Sequence, residues 1–146
     1  MTVQPIDISP DTDAHVVGRI GENLASYYLE ASGFECSIVD RRGSDIWCKY
    51  NSHLFTVEVK AGMKATVSSV NKDGTPALYY NFCIRKKEAD QFFLICLDTN
   101  LVRVLSKEKL IERIGPKRQM LHMRPDEFTP EFMAADMRRL KSYYSL

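Results

Sequence analysis

Apolar residues recur every three to four positions from Thr12 to Ala31, through Val17, Ile20, Leu24, Tyr27 or Tyr28, and Ala31, which is the spacing of one helix face. Asp11 or Asp13 is placed to cap that helix, and Ser32-Gly33 to stop it. The period then shortens to that of a strand. Phe34 to Val39 reads as one strand, Asp40 to Ser44 as a loop, and Ile46 to Tyr50 as a second strand rich in aromatic and β-branched residues. Asn51-Ser52-His53 is turn-forming, and Leu54 to Lys60 is again strand-like, so residues 45–60 predict a β-hairpin. Asn71-Lys72-Asp73-Gly74 signals another turn, but its flanks, Ala65 to Val70 and Thr75 to Phe82, are small, polar or aromatic and read as an extended flap or mobile loop. Gln91 to Leu97 is apolar on both faces, the mark of a buried central strand. Asp98-Thr99-Asn100 is a turn, Leu101 to Leu105 a strand, and Ser106 caps a short helix reaching about Ile114. Thr129-Pro130-Glu131 opens a last helix, whose apolar positions Phe132, Met133, Met137 and Leu140 fit packing on the body of the domain or on a second copy of the chain.

These elements predict a single α/β domain over residues 1–146, with a mixed central sheet flanked by helices. Its core spans about 12–114, and an extra C-terminal helical segment covers about 115–146. The chain is long enough to bury a core without disulfides or metal staples. Cys36, Cys48, Cys83 and Cys96 all fall in predicted strands without Cys-x-x-Cys spacing, so buried free thiols are expected. No apolar run approaches the length that crosses a bilayer, and Met-Thr-Val-Gln-Pro-Ile-Asp lacks the basic and apolar regions of a signal peptide, so the expected location is cytoplasmic.

The net charge of +1 hides an uneven distribution. Residues 1–40 hold seven acids against one base, residues 41–124 sixteen bases against eight acids, and residues 125–146 three bases against four acids. A positive middle around an acidic hairpin suits a polyanion partner, although a solvated surface of mixed charge gives the same count.

Side-chain alternation puts Thr56, Glu58 and Lys60 on one face of the hairpin's second strand, and Phe55, Val57 and Val59 on the other. Asp45, at the start of the first strand, can therefore meet a carboxylate and an ammonium. Such a set can hold a hard divalent cation beside a phosphate. Gly18, Gly21 and Ala25 flank Glu22 on the helix and let its backbone approach a sheet closely, which would aim Glu22 at the hairpin. Read alone, Glu22 also fits a solvated helix carboxylate, and the Asp45, Glu58 and Lys60 set also fits a surface ion-pair cluster worth at most ~1 kcal/mol.

The order and placement of Gly21-Glu22-Asn23-Leu24-Ala25, Gly33-Phe34, Gly43-Ser44-Asp45-Ile46 and Val57-Glu58-Val59-Lys60 resembles the PD-(D/E)xK nuclease superfamily, close to its archaeal Holliday junction resolvase-like and small phage or homing endonuclease-like branches. The resemblance implies a restriction endonuclease-like core and a Mg²⁺- or Mn²⁺-dependent endonuclease acting on DNA, branched or duplex, most often as a homodimer or higher homo-oligomer. It also implies roles. Asp45 and Glu58 would ligate the metal with the Val59 carbonyl, Glu22 would reach it directly or through water, and Lys60 would orient or help deprotonate the attacking water. Ser44 would contact phosphate, and Arg41, Arg42 and Lys64 the nucleic-acid backbone. Two features depart from the pattern: Ser44 stands where the family name has proline, and Asp7, Asp11 and Asp13 make acidic a segment that is often basic in junction resolvases. The alternative reading is a non-catalytic nucleic-acid-binding or interaction module that keeps the nuclease fold.

Overall fold

The computed structural model describes residues 2–41 and 44–145, with the backbone alone at Asp40, Arg41 and Ser44. The chain opens with α1 (Ala14–Ala31), capped by the Asp13 carboxylate, which accepts from the His15 amide at 2.8 Å. Gly33 follows its end with φ of 98°, a conformation that favours glycine. Then come β1 (Glu35–Arg41), β2 (Ser44–Tyr50), β3 (His53–Gly62), β4 (Thr66–Val70), β5 (Pro76–Cys83), β6 (Gln91–Cys96) and β7 (Leu101–Ser106). The chain closes with α2 (Lys107–Ile114), β8 (Met120–Met123), a 3-10 turn at Pro125–Glu127, and α3 (Pro130–Tyr143). Ser106 and Thr129 cap α2 and α3 as their sequences predict.

The central sheet has the order β1-β2-β3-β6-β7 and is mixed: β3 runs parallel to β6, and every other neighbouring pair is antiparallel. β4, β5 and β8 form a second, smaller sheet. One face of the central sheet packs on α1 and α3, where Tyr28, Leu29, Val57, Phe93, Met133 and Leu140 share a core. The Tyr144 ring stacks on Phe55 with centroids 3.9 Å apart, fixing the end of the chain over β3. The opposite face is covered by the small sheet and α2 through Tyr80, Phe82, Phe92, Leu94, Leu110 and Leu121. β6, buried at every residue, is the shared wall of the two cores.

The observed elements differ from expectation in four places. On α1, Tyr28 and Leu29 are the buried pair while Tyr27 and Ala31 are exposed. β1 runs on to Arg41 and pairs with Ser44, so much of the expected 40–44 loop is hairpin. The turn at 71–74 forms, with Gly74 at φ 87°, but only β4 is exposed throughout like a flap, whereas β5 turns Tyr80 and Phe82 into a core. β8, which completes the small sheet beside β5, is not signalled by the sequence. The segment from 115 onward therefore supplies Leu121 and Met123 to one core, and Met133, Leu140 and Tyr144 to the other.

The four cysteines are free thiols; Cys36 and Cys48 face each other across β1 and β2 with sulfurs 3.6 Å apart. Among the described residues no helix is long and apolar enough to cross a membrane.

Candidate active site

The β2–β3 hairpin turns at Asn51-Ser52, both at positive φ, which matches the twist of a two-residue connection. Its ladder runs from Tyr50↔His53 to Ile46↔Val57 and stops one residue short of Asp45. Beyond that point the Asp45 carboxylate replaces a strand partner: its Oδ2 accepts a 2.7 Å hydrogen bond from the Val59 amide. On its other edge β3 pairs with β6, with Glu58 opposite Phe92 and Lys60 opposite Leu94. Glu58 thus stands on an inner strand beside aromatic core, and only 8% of it is exposed.

That setting governs its charge. Burial pushes the Glu58 carboxyl up to about 7, against the pull of Lys60; Asp45 and Glu88 raise it further and Lys87 lowers it. Lys60 Nζ lies 4.0 Å from Glu58 Oε1, while Oε2 is buried with no hydrogen-bond partner among the described residues. An unsatisfied buried acceptor costs about 1–3 kcal/mol, and more when ionised. Such a group is stabilised by a proton or by a cation.

A cleft of about 500 Å³ opens at this point, and Glu22, Asp45, Glu58 and Lys60 line it together with Val59 and Gly18. Gly21 explains how Glu22 arrives. A Cβ placed there would sit 2.8 Å from the Ala61 Cβ and 3.5 Å from a Val59 methyl, so only glycine lets α1 lie this close to β3. Gly18 has a different place: a Cβ there meets nothing within 4 Å, so it borders the cleft and not the sheet contact.

All donors of this cluster are oxygens, the ligand type of hard cations. Among the described residues no three His, Cys, Asp or Glu side chains form a ready metal-binding group. Carboxylates in such a cleft suit a cation that takes one or two of them plus water and substrate oxygens, as Mg²⁺ does. The orphaned Glu58 oxygen is the feature that fits such an ion.

Not every expected site residue converges here. Lys64 is exposed and lines a neighbouring depression with Met63 and Asp98. Arg42 lies outside the described residues, and Arg41 and Ser44 are described only as ends of β1 and β2. Conversely, Lys87 and Glu88 lie close enough to act on Glu58 and were not anticipated. Their signal is the charged run Arg85-Lys86-Lys87-Glu88, which immediately precedes the buried β6.

No family model matches the chain. No curated protein matches it either. Among solved structures it shares its fold with a bacterial homing endonuclease at a TM-score of 0.60, with 17% sequence identity over 90% of this chain and 95% of that one. The mixed α/β architecture is thus that of a nuclease fold.

Proposed function

We propose that this protein is a metal-dependent DNA endonuclease of the PD-(D/E)xK type, hydrolysing phosphodiester bonds in the cleft bounded by β2, β3 and α1. The observation that carries the reading is the buried Glu58 carboxylate, with one oxygen unsatisfied among the described residues, sharing its cleft with Asp45 and Lys60. The likeness of fold to a homing endonuclease supports it. Asp45 and Glu58 are the residues that would hold Mg²⁺ or Mn²⁺, assisted by the Val59 carbonyl and by Glu22. When bound, that ion supplies Lewis-acid charge at the scissile phosphate and acidifies water.

The chain's own residues do the rest. Asp45, tied through Oδ2 to the Val59 amide, is oriented before substrate arrives. Lys60 is a compact three-donor ammonium that can hold the attacking water or a nonbridging oxygen. As water adds to phosphorus and a P–O bond of the diester breaks, Lys60 stabilises the negative charge that builds on the phosphoryl oxygens. Glu22, which lines the cleft from α1, would hold a water molecule.

Conservative variants test the reading. Asp45→Asn keeps an oxygen for the Val59 amide, and Glu58→Gln keeps the side-chain volume. Each is expected to remain folded and to lose about 10²-fold or more of its cleavage rate in Mg²⁺. Full activity in a well-folded Glu58→Gln protein would contradict the assignment. Salt-sensitive DNA binding with no cleavage by the wild type would reassign the fold to a binding module.

A further inference from the structure

Cys36 and Cys48 are register partners on β1 and β2, and both sit in the core that the central sheet shares with α1 and α3. Opposed residues of an antiparallel ladder have Cα atoms about 4.5–5.5 Å apart, a span that a disulfide bridges. Their sulfurs lie 3.6 Å apart, and closing to the roughly 2 Å of a covalent bond needs no change of register. Access is one-sided. Cys36 is partly exposed whereas Cys48 is buried, so a small oxidant reaches the first sulfur and the second stands behind it.

The two thiols also differ chemically. The Cys48 thiol donates to the Cys36 sulfur, and that bond holds the Cys36 thiol below its ordinary value, against burial and the Glu30 carboxylate. The same bond, together with burial, pushes the Cys48 thiol up. A partly exposed sulfur eased toward thiolate, with a protonated thiol beside it, is how a redox-sensing cysteine sits next to its resolving partner. The other two cysteines lie on different sheets: Cys83 ends β5 opposite Met120, and buried Cys96 ends β6 opposite Leu101.

We infer that Cys36 and Cys48 are a peroxide-responsive thiol pair, oxidised to a disulfide that ties β1 to β2 and reduced again by a dithiol, which becomes a disulfide in turn. The Cys36 thiolate attacks one peroxide oxygen; an S–O bond forms, the O–O bond breaks, and hydroxide leaves to take up the proton that Cys36 released. Cys48 then attacks the sulfur of the resulting sulfenic acid; the S–S bond forms, the S–O bond breaks, and the oxygen departs with the Cys48 proton as water. Two thiols are oxidised and one peroxide is reduced to two waters. β1 is an edge strand of the central sheet, so the bond pins a strand that the ladder holds along one side. No part of the inference rests on the nuclease reading.

Sequence distance alone does not select this pair, because Cys83 and Cys96 are about as far apart along the chain. The full chain, reduced and then freed of reductant, is treated with hydrogen peroxide in native buffer and in urea; remaining thiols are alkylated and the peptides mapped by mass spectrometry. The expected result in native buffer is a Cys36–Cys48 disulfide in most molecules, with Cys83 and Cys96 unpaired, and its loss after addition of a dithiol. In urea a Cys83–Cys96 linkage is expected to appear beside it. Cys36→Ser is expected to abolish the native disulfide, and Cys48→Ser, lacking the resolving thiol, to leave a sulfenic acid at Cys36 that dimedone captures. The wild-type map decides the question without either variant. In the folded wild type, pairing through Cys83 or Cys96, disulfides between chains, oxidation of Cys36 with Cys48 still free, or four thiols left untouched would each overturn the inference.

Discussion

Glu58 is a carboxylate whose surroundings disfavour its own charge, and that makes its state depend on pH and on metal. Its folded pKa of about 7 lies above the ordinary carboxylate value. The stability it contributes is therefore fully present below about pH 4.5 and is lost as pH rises through about 7. In EDTA, Glu58→Gln is expected to melt above wild type at pH ~8, with the difference shrinking toward pH ~5. A pH-independent difference in thermal melts would show that Glu58 is not the titrating group. The neighbours that act on it are Lys60, Asp45, Glu88 and Lys87. In the sequence, the alternation of β3 made Glu58 and Lys60 legible as one face, because strand period needs only local information. The influence of Lys87 and Glu88 was not legible, since it arises from where residues 84–90 lead into β6, a matter of tertiary path.

Helix α1 shows how an element places a residue. Gly21→Ala would gain helix propensity of up to ~1 kcal/mol, but its new methyl would fall 2.8 Å from the Ala61 Cβ, forcing the helix off β3. Overpacking of that kind costs about 1–3 kcal/mol, so a net loss on the order of 1 kcal/mol is expected in urea unfolding, with Glu22 displaced from the cleft. Gly18→Ala meets open space and should gain up to ~1 kcal/mol instead. Equal effects of the two substitutions would show that the Gly21 approach does not constrain the helix. Helix α3 is anchored by a different device. Buried Asp136 accepts from Arg103 Nε at 2.8 Å and from the Val104 amide at 2.9 Å, closing the edge of β7, while Arg139 lies 2.8 Å from its other oxygen without hydrogen-bond geometry. Removing that carboxylate leaves Arg103 without its charge partner, holding the Glu127 carbonyl at 2.9 Å, and Asp136→Ala is expected to cost about 3 kcal/mol in the same assay. The caps of α2 and α3 were readable because Ser106 and Thr129-Pro130 act through adjacent backbone. β8 was not readable: Met-Leu-His-Met has too little pattern to mark a strand, and its partner β5 lies far away in sequence.

The whole molecule is a three-layer stack in which the central sheet holds Asp45, Glu58 and Lys60 while α1 brings Glu22 from one side. Its division into α/β elements followed from hydrophobic periodicity, but the small sheet did not, because β4 is exposed throughout and β5 buries Ala77, Tyr80 and Phe82 without a regular alternation. A cation that binds the folded cleft stabilises the entire domain. Mg²⁺ or Mn²⁺ is expected to raise the melting temperature of wild type and to raise that of Asp45→Ala less; equal shifts would place metal elsewhere. Cleavage itself reports on the Asp45, Glu58 and Lys60 cleft. Wild type and Lys60→Ala are incubated with labelled linear duplex, single-strand, flap and four-way-junction DNA, in Mg²⁺ or Mn²⁺ and in EDTA. The expected result is metal-dependent cutting by wild type and loss of that cutting in a folded Lys60→Ala. Intact DNA of every shape with folded, metal-supplied wild type, or undiminished cutting by Lys60→Ala, would contradict it.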